Sequence, residues 1–176
     1  VNPDKEWLRQ RFITATQPYI DTPAKRAKHR NYLTNVMFPS FSFDAEKVAT
    51  CLQTGELSLL FDILWEAIRS TYLKEREKAE RMIRDGTFTM TASAGEIIIK
   101  SEQAAANREY KVNLAEGTCS CPHGRKLSYS GIFCKHVMCV YSQLPTALVA
   151  QQITGRDTSM TDIQIVKPGV RKLNLG

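Results

Sequence analysis

Four of the five cysteines of this chain, Cys119, Cys121, Cys134 and Cys139, lie within 21 residues, and His136 falls among them. Thiolate and imidazole are the donors Zn²⁺ prefers, and a structural zinc site holds four of them tetrahedrally. The spacing sorts the candidates into two pairs, Cys119 with Cys121 and Cys134 with His136. Side chains at i and i+2 of an extended segment share a face, so the first pair can converge on one ion. Pro122 disfavours helix at Cys121 and keeps that pair extended. Cys134 and His136 open an apolar helical run through Val137, Met138, Val140 and Tyr141, and a helix N-terminus suits a thiolate. Gly131 is expected to allow the chain's tight approach back to the metal. Three thiolates and one imidazole leave no position for water, so the expected site is structural, with Cys119, Cys121, Cys134 and His136 around one Zn²⁺.

Other residues compete for these places. His123 is an alternative imidazole, disfavoured because it crowds the Cys119–Cys121 pair. Cys139 is expected to point from the helix into the core. Cys51 reads as a small buried apolar residue. The odd cysteine count and the missing secretory signal argue against a disulfide framework and for a metal in a reducing, intracellular compartment, with a redox-sensing thiol pair as the minor alternative.

The elements that must position these ligands read as α+β: an N-terminal helical region with a long helix, then a small antiparallel sheet leading into the metal motif. Asp4 is a plausible N-cap for a helix over 4–16, with Trp7, Leu8, Phe12 and Ile13 on one face. Pro23 starts a basic helical stretch reaching Met37, and Pro39 closes it. Ser42 or Asp44 caps a short helix that Gly55 stops. From Glu56 to Arg84, Leu57, Leu60, Phe61, Leu64, Ile68 and Tyr72 recur at helical spacing. The stretch from Lys74 to Arg84 is dense in charge, with Glu77→Arg81 and Glu80→Arg84 in the favourable order, and is expected to project into solvent or toward a partner, a solvated face being the plainer reading. Strand patterns follow at 87–91, 96–100 and 108–114, with Tyr110, Val112 and Leu114 on one face. A last short helix is expected over 144–153, then a turn-rich tail. The resulting segments are 1–86 helical, 87–144 sheet and finger, and 145–176 short helix and tail.

Hydrophobic residues make up 43% of the 176, enough for a real core, and no apolar run is long enough to span a bilayer. The chain does not begin with Met and is expected to be a piece of a longer protein. The formal net charge is +6, which admits nucleic acid or an acidic partner. The excess gathers at Lys25 to Arg30, at Arg125, Lys126 and Lys135, and at Lys167 to Lys172. Catalytic residues are not evident: the sequence shows no His/Asp pattern that would go with Ser128 or Ser130, and no Gly-rich phosphate cradle occurs.

The stretch from Cys119-Ser-Cys121 through Gly131-Ile-Phe-Cys134-Lys-His136, preceded by strands and followed by an apolar helix, resembles the SWIM zinc finger, whose pattern is C-x-C, a variable gap, then C-x-H. The gap here is the twelve residues from Pro122 to Phe133. The resemblance spans about residues 108–143 and implies a ββα-type finger, bound zinc, and DNA-binding or protein-interaction roles. The family occurs in Mutator-like transposases and their derivatives, in recombination-associated proteins and in signalling proteins. The charged helix upstream is reminiscent of the transposase-derived group, which implies DNA recombination, a nuclear setting and a catalytic domain outside this chain. Arg125, Lys126 and Lys135 are the expected nucleic-acid contacts, the first two on a loop pinned at both ends by the metal. That loop carries no acidic residue and offers aromatic surface only at Tyr129 and Phe133, which suits phosphate contact better than base reading. The alternative is a zinc-stapled scaffold whose upstream helices bind a protein.

Overall fold

The structure is a computed structural model that describes residues 4–93, 96–101, 108–143 and 163–165. The chain divides into two compact units, one made of residues up to Lys74 together with Lys126–Ile132, the other of Glu75–Arg125 with the residues from Phe133 on. The division falls inside the long helix and inside the spacer between the ligand pairs, rather than at Gly86.

The first unit is helical. Helix α1 (Lys5–Thr16) starts where Asp4 accepts from the Trp7 N–H at 3.0 Å. Helix α2 (Pro23–Asn31) has Pro at its first position and Thr22 accepting from the Lys25 N–H, and it runs on into a π-helical turn, Tyr32–Met37. Helix α3 (Ala45–Thr54) is capped by Asp44 and stopped by Gly55, whose φ of 79° is left-handed. Helix α4 (Leu57–Asp85) is 29 residues long. Leu57, Leu60, Phe61, Leu64 and Ile68 are buried along it, and the Phe61 and Phe12 rings pack 5.8 Å apart. Arg9 fixes α1 to α4 beside this contact, at 2.9 Å from Asp62 and 3.0 Å from the Ser58 carbonyl. Within the basic cluster of α2, His29 is buried instead of exposed, its ring stacked on Tyr19 at 5.4 Å.

Residues 126–132 join this unit through specific bonds. Tyr32 donates its hydroxyl to the Lys126 carbonyl, and the Tyr129 ring sits edge-on to Tyr32 and Tyr19. Arg11 Nε donates to the Gly131 carbonyl at 2.7 Å. Gly131 has φ of 71°, and a Cβ there would lie 2.5 Å from the Arg11 carbonyl oxygen. The close approach that Gly131 permits is therefore to the backbone of α1, not to the metal site. Left-handed backbone costs an L-residue about 1–2 kcal/mol, and forced overpacking about 1–3 more. Gly131→Ala is expected to destabilise the helical unit by about 2–4 kcal/mol, measured as a lower midpoint in chemical denaturation; an unchanged midpoint would show that Arg11 yields freely.

The second unit contains a five-stranded antiparallel sheet in the order β4-β3-β2-β1-β5. Its strands are β1 (Phe88–Ser93), β2 (Glu96–Ser101), β3 (Glu109–Asn113), β4 (Thr118–Cys119) and β5 (Ile163–Ile165). Phe88, Met90, Ala92, Ile97, Ile99 and Val112 alternate onto one buried face. Three strands are legible by pattern. The two-residue β4 is too short to show one, and β5 lies in the tail expected to be irregular. The helix expected over 144–153 falls outside the described residues. No described helix is long and apolar enough to cross a membrane.

The second half of α4 departs most from expectation. Glu75, Ala79 and Met82, at i, i+4 and i+7, are buried. Arg76 pairs with Glu80 and Lys78 with Glu75, whereas Glu77→Arg81 and Glu80→Arg84 pairs are absent among the described residues. Small Ala79 and flexible Met82 give the charge-rich stretch a narrow face that can be covered, so it is not solvated all round.

Candidate metal centre

Cys119 stands on β4, opposite Val112 of β3. Cys121 follows two residues later, immediately before helix α5 (Pro122–Ser128). The spacer is therefore a helix and a turn, not the loop expected. Pro122 is the first residue of that helix. Cys121 caps it: the Gly124 N–H donates to Cys121 Sγ at 3.0 Å, and the Arg125 N–H to the Cys121 carbonyl at 2.9 Å. Gly124 has no room for a side chain, since a Cβ would lie 2.9 Å from Cys121 Sγ and 3.0 Å from Cys119 Cβ. Cys134 is the extended N-cap of helix α6 (Lys135–Ser142), and His136 lies in its first turn, as the sequence leads one to expect.

The four side chains meet. The three Sγ atoms and one His nitrogen all lie within 4.8 Å of one another, and every one of these residues is buried. Cys121 Sγ and Cys134 Sγ are 3.9 Å apart, and His136 Nδ1 lies 3.7 Å from Cys119 Sγ and 3.9 Å from Cys134 Sγ. A tetrahedral shell with Zn–S of about 2.3 Å and Zn–N of about 2.0 Å has S···S edges near about 3.8 Å and S···N edges near about 3.5 Å. The donor set and its spacing thus fit a four-coordinate thiophilic ion closed to water. Hydrogen bonds from Cys119 and Cys134 hold Cys121 far below the usual thiol range, and the Gly124 N–H adds to this.

The competing ligands are placed elsewhere. His123 Nε2 donates to Glu75 at 3.1 Å and does not reach the cluster. Cys139 is buried, its thiol 3.8 Å from the Ala79 carbonyl and 4.0 Å from Met82 Sδ, and burial pushes its pKa up to about 12. Cys51 is buried as expected, and Phe133 is buried with its ring stacked on Tyr141 at 5.0 Å.

Sequence reasoning missed Glu75. This carboxylate is 1% exposed and accepts the Lys135 N–H at 3.0 Å, His123 Nε2 at 3.1 Å and Lys78 Nζ at 3.1 Å. It anchors the backbone between the ligands Cys134 and His136 to α4 and supports the start of α5 through His123. Burial alone would raise its pKa, but the bonds from His123 and Lys78, with the Lys135 N–H, outweigh that and hold it at about 2. The available signal was the i, i+4, i+7 spacing of Glu75, Ala79 and Met82. Tyr110 packs its ring 5.0 Å from His136 and fixes the imidazole plane.

Of the expected nucleic-acid contacts, Arg125 and Lys135 lie in the metal unit and Lys126 in the helical one. Arg125 is exposed, and Lys126 and Lys135 are half-buried. Lys135 borders a cleft together with His136, which neither Arg125 nor Lys126 lines.

No curated protein and no protein of known structure matches the chain. Residues 110–144 match the family model of the SWIM zinc finger. With all four ligand positions converged inside that span, this segment is a SWIM-type zinc finger.

Proposed function

We propose that this chain is a nucleic-acid-binding module, with DNA as its partner, whose finger is stabilised by one structural Zn²⁺ per chain, and that it is part of a larger protein of the transposase or transposase-derived kind. The observation that carries the reading is the placement of basic side chains beside the ligand residues, Arg125 on the helix after Cys121 and Lys135 between Cys134 and His136, in a chain of net charge +6. A closed Cys₃His shell offers no site for catalysis, so the ion serves the fold and the surface around it serves the partner. The charges suit phosphate contact, which gives weak and sequence-tolerant binding. The reading also places the protein in the nucleus or another reducing compartment.

Two measurements test it. X-ray absorption at the zinc edge is expected to show three sulfurs and one nitrogen. Titration of the full chain into a labelled random duplex across salt concentrations is expected to give an affinity that falls steeply with salt, by about 0.9 in logarithmic slope for each phosphate contacted. No binding at low salt would favour the finger as a scaffold for a protein partner.

A further inference from the structure

The second unit carries a cleft of about 520 Å³ against the metal centre. Lys78, Arg81 and Asp85 of α4 line one side, Lys135 and His136 of α6 another, and Tyr110 of β3 the third. Its charges are unevenly satisfied. Lys78 is paired with Glu75 and Asp85 with Arg84, whereas Arg81 and Lys135 form no ion pair among the described residues. Two cations thus face the same space with no carboxylate of their own. A Cys₃His zinc shell carries one net negative charge, which the two cations outweigh.

His136 supplies a second, independent observation. The residue is 3% exposed, and its Nδ1 faces the sulfurs. No described protein group accepts a hydrogen bond from its Nε2. A metal-ligating His almost always donates its other nitrogen to a carboxylate, a carbonyl or water, because that bond fixes ring and tautomer. Here Tyr110 fixes the ring by packing, and the residue lines the cleft. With Nδ1 on the metal, Nε2 carries the proton and is a donor only. An N–H donor on a largely buried ring that lines the cleft, with two cations that form no ion pair among the described residues, is complementary to a phosphate oxyanion.

Resting on the nucleic-acid reading above, we infer that this cleft is the phosphate-binding site, with Arg81 and Lys135 pairing a phosphodiester of the nucleic-acid backbone while the zinc ligand His136 donates Nε2–H to the same phosphate. His136 lines the cleft while its Nδ1 faces the sulfurs, so anion contact and metal binding would share one ring. Arg125 and Lys126 are then secondary to a cleft built largely from the charged half of α4.

The test is NMR on the zinc-loaded full chain, following the His136 Nε2–H and the Lys135 and Tyr110 amides. One arm adds a 20-base-pair duplex and the other inorganic phosphate. The duplex is expected to shift the Nε2–H resonance and slow its exchange, while phosphate alone does so only at tens of millimolar. The variants Arg81→Gln and Lys135→Gln, singly and together, keep the Lys135 backbone bond to Glu75. The double variant is expected to retain its zinc and lose about two units of salt slope. Saturation by phosphate at micromolar levels with no response to duplex would overturn nucleic acid as the occupant. Duplex binding that leaves Nε2–H unmoved and the double variant unimpaired would overturn the cleft while sparing the proposed function. Absence of any duplex binding would remove both.

Discussion

Cys134→Ser is expected to release the metal, from one zinc per chain to none, and to unfold the finger with the elements that lean on it. Apparent zinc-binding free energies in small fingers reach about 10–16 kcal/mol, far above what a short sheet supplies alone. The sheet's buried face is a single layer of apolar side chains, Phe88 and Met90 the largest of them, and β4 is only two residues long. Amide hydrogen exchange should show protection lost across Glu109–Asn113 and Lys135–Ser142. It should also be lost around Ala79 and Met82, which Cys139 contacts from α6. Protection in Lys5–Thr16 and Ala45–Thr54 should persist, since those helices bury Phe12, Val48 and Leu52 within the helical unit. Retained protection in α6 after the metal is gone would refute the structural role. Equal loss in α1 and α3 would show that the two units unfold as one.

Glu75→Ala is expected to cost about 3–5 kcal/mol, the usual effect of removing one partner from a buried charged network. It strands the Lys135 N–H and removes the acceptor of His123 and Lys78. Glu75→Gln keeps an acceptor for the Lys135 N–H, so it should cost about half as much. The same carboxylate gives a pH signature. Its folded pKa is depressed from 4.5 to about 2, so the native state binds fewer protons than the unfolded one in that interval. The contribution to stability is therefore complete above about pH 5 and is lost as pH falls towards 2. A tenfold difference in proton affinity between the folded and unfolded states is worth about 1.4 kcal/mol, which sets an upper limit of about 3 kcal/mol because Lys78 and His123 are partly solvated. Denaturation midpoints at pH 6 and pH 3.5 should converge between wild type and Glu75→Gln as acid is added. A gap that stays constant would mean that the carboxylate's charge contributes nothing.

The metal ligands were legible because coordination chemistry restricts residue type and spacing at once: C-x-C and C-x-H admit few other readings. The helices were legible where caps are local, as at Asp4, Pro23, Asp44 and Gly55, since each acts on the backbone within a turn of itself. What was hidden depended on partners distant in sequence. Glu75 looks like one more acid in a charged helix until the Lys135 amide arrives from 60 residues away. Gly131 suggests a turn at the metal, yet it is required by the Arg11 carbonyl. The spacer helix α5 was masked by Gly124, a poor helix former that is present because the sulfur and the carbonyl of its neighbours leave no space for a Cβ. The SWIM pattern leaves this gap variable, so the resemblance was silent there too.

The bond from Arg11 to Gly131 joins residues 120 positions apart. During synthesis the chain lengthens by about 5–20 residues per second, so Arg11 waits about 6–24 s before its acceptor exists. Helices α1 to α3 emerge early but stay without their last segment for that interval, with Tyr32 lacking its Lys126 acceptor and Tyr19 lacking the Tyr129 ring. The segment that completes them, Lys126–Ile132, is followed at once by Cys134 and His136. The ribosome therefore delivers the closing piece of the helical unit and the second half of the metal shell within about a second of each other. Maturation of the protein is then set less by the order of its elements than by the arrival of one short stretch, and a pause placed just upstream of it would hold both units open together.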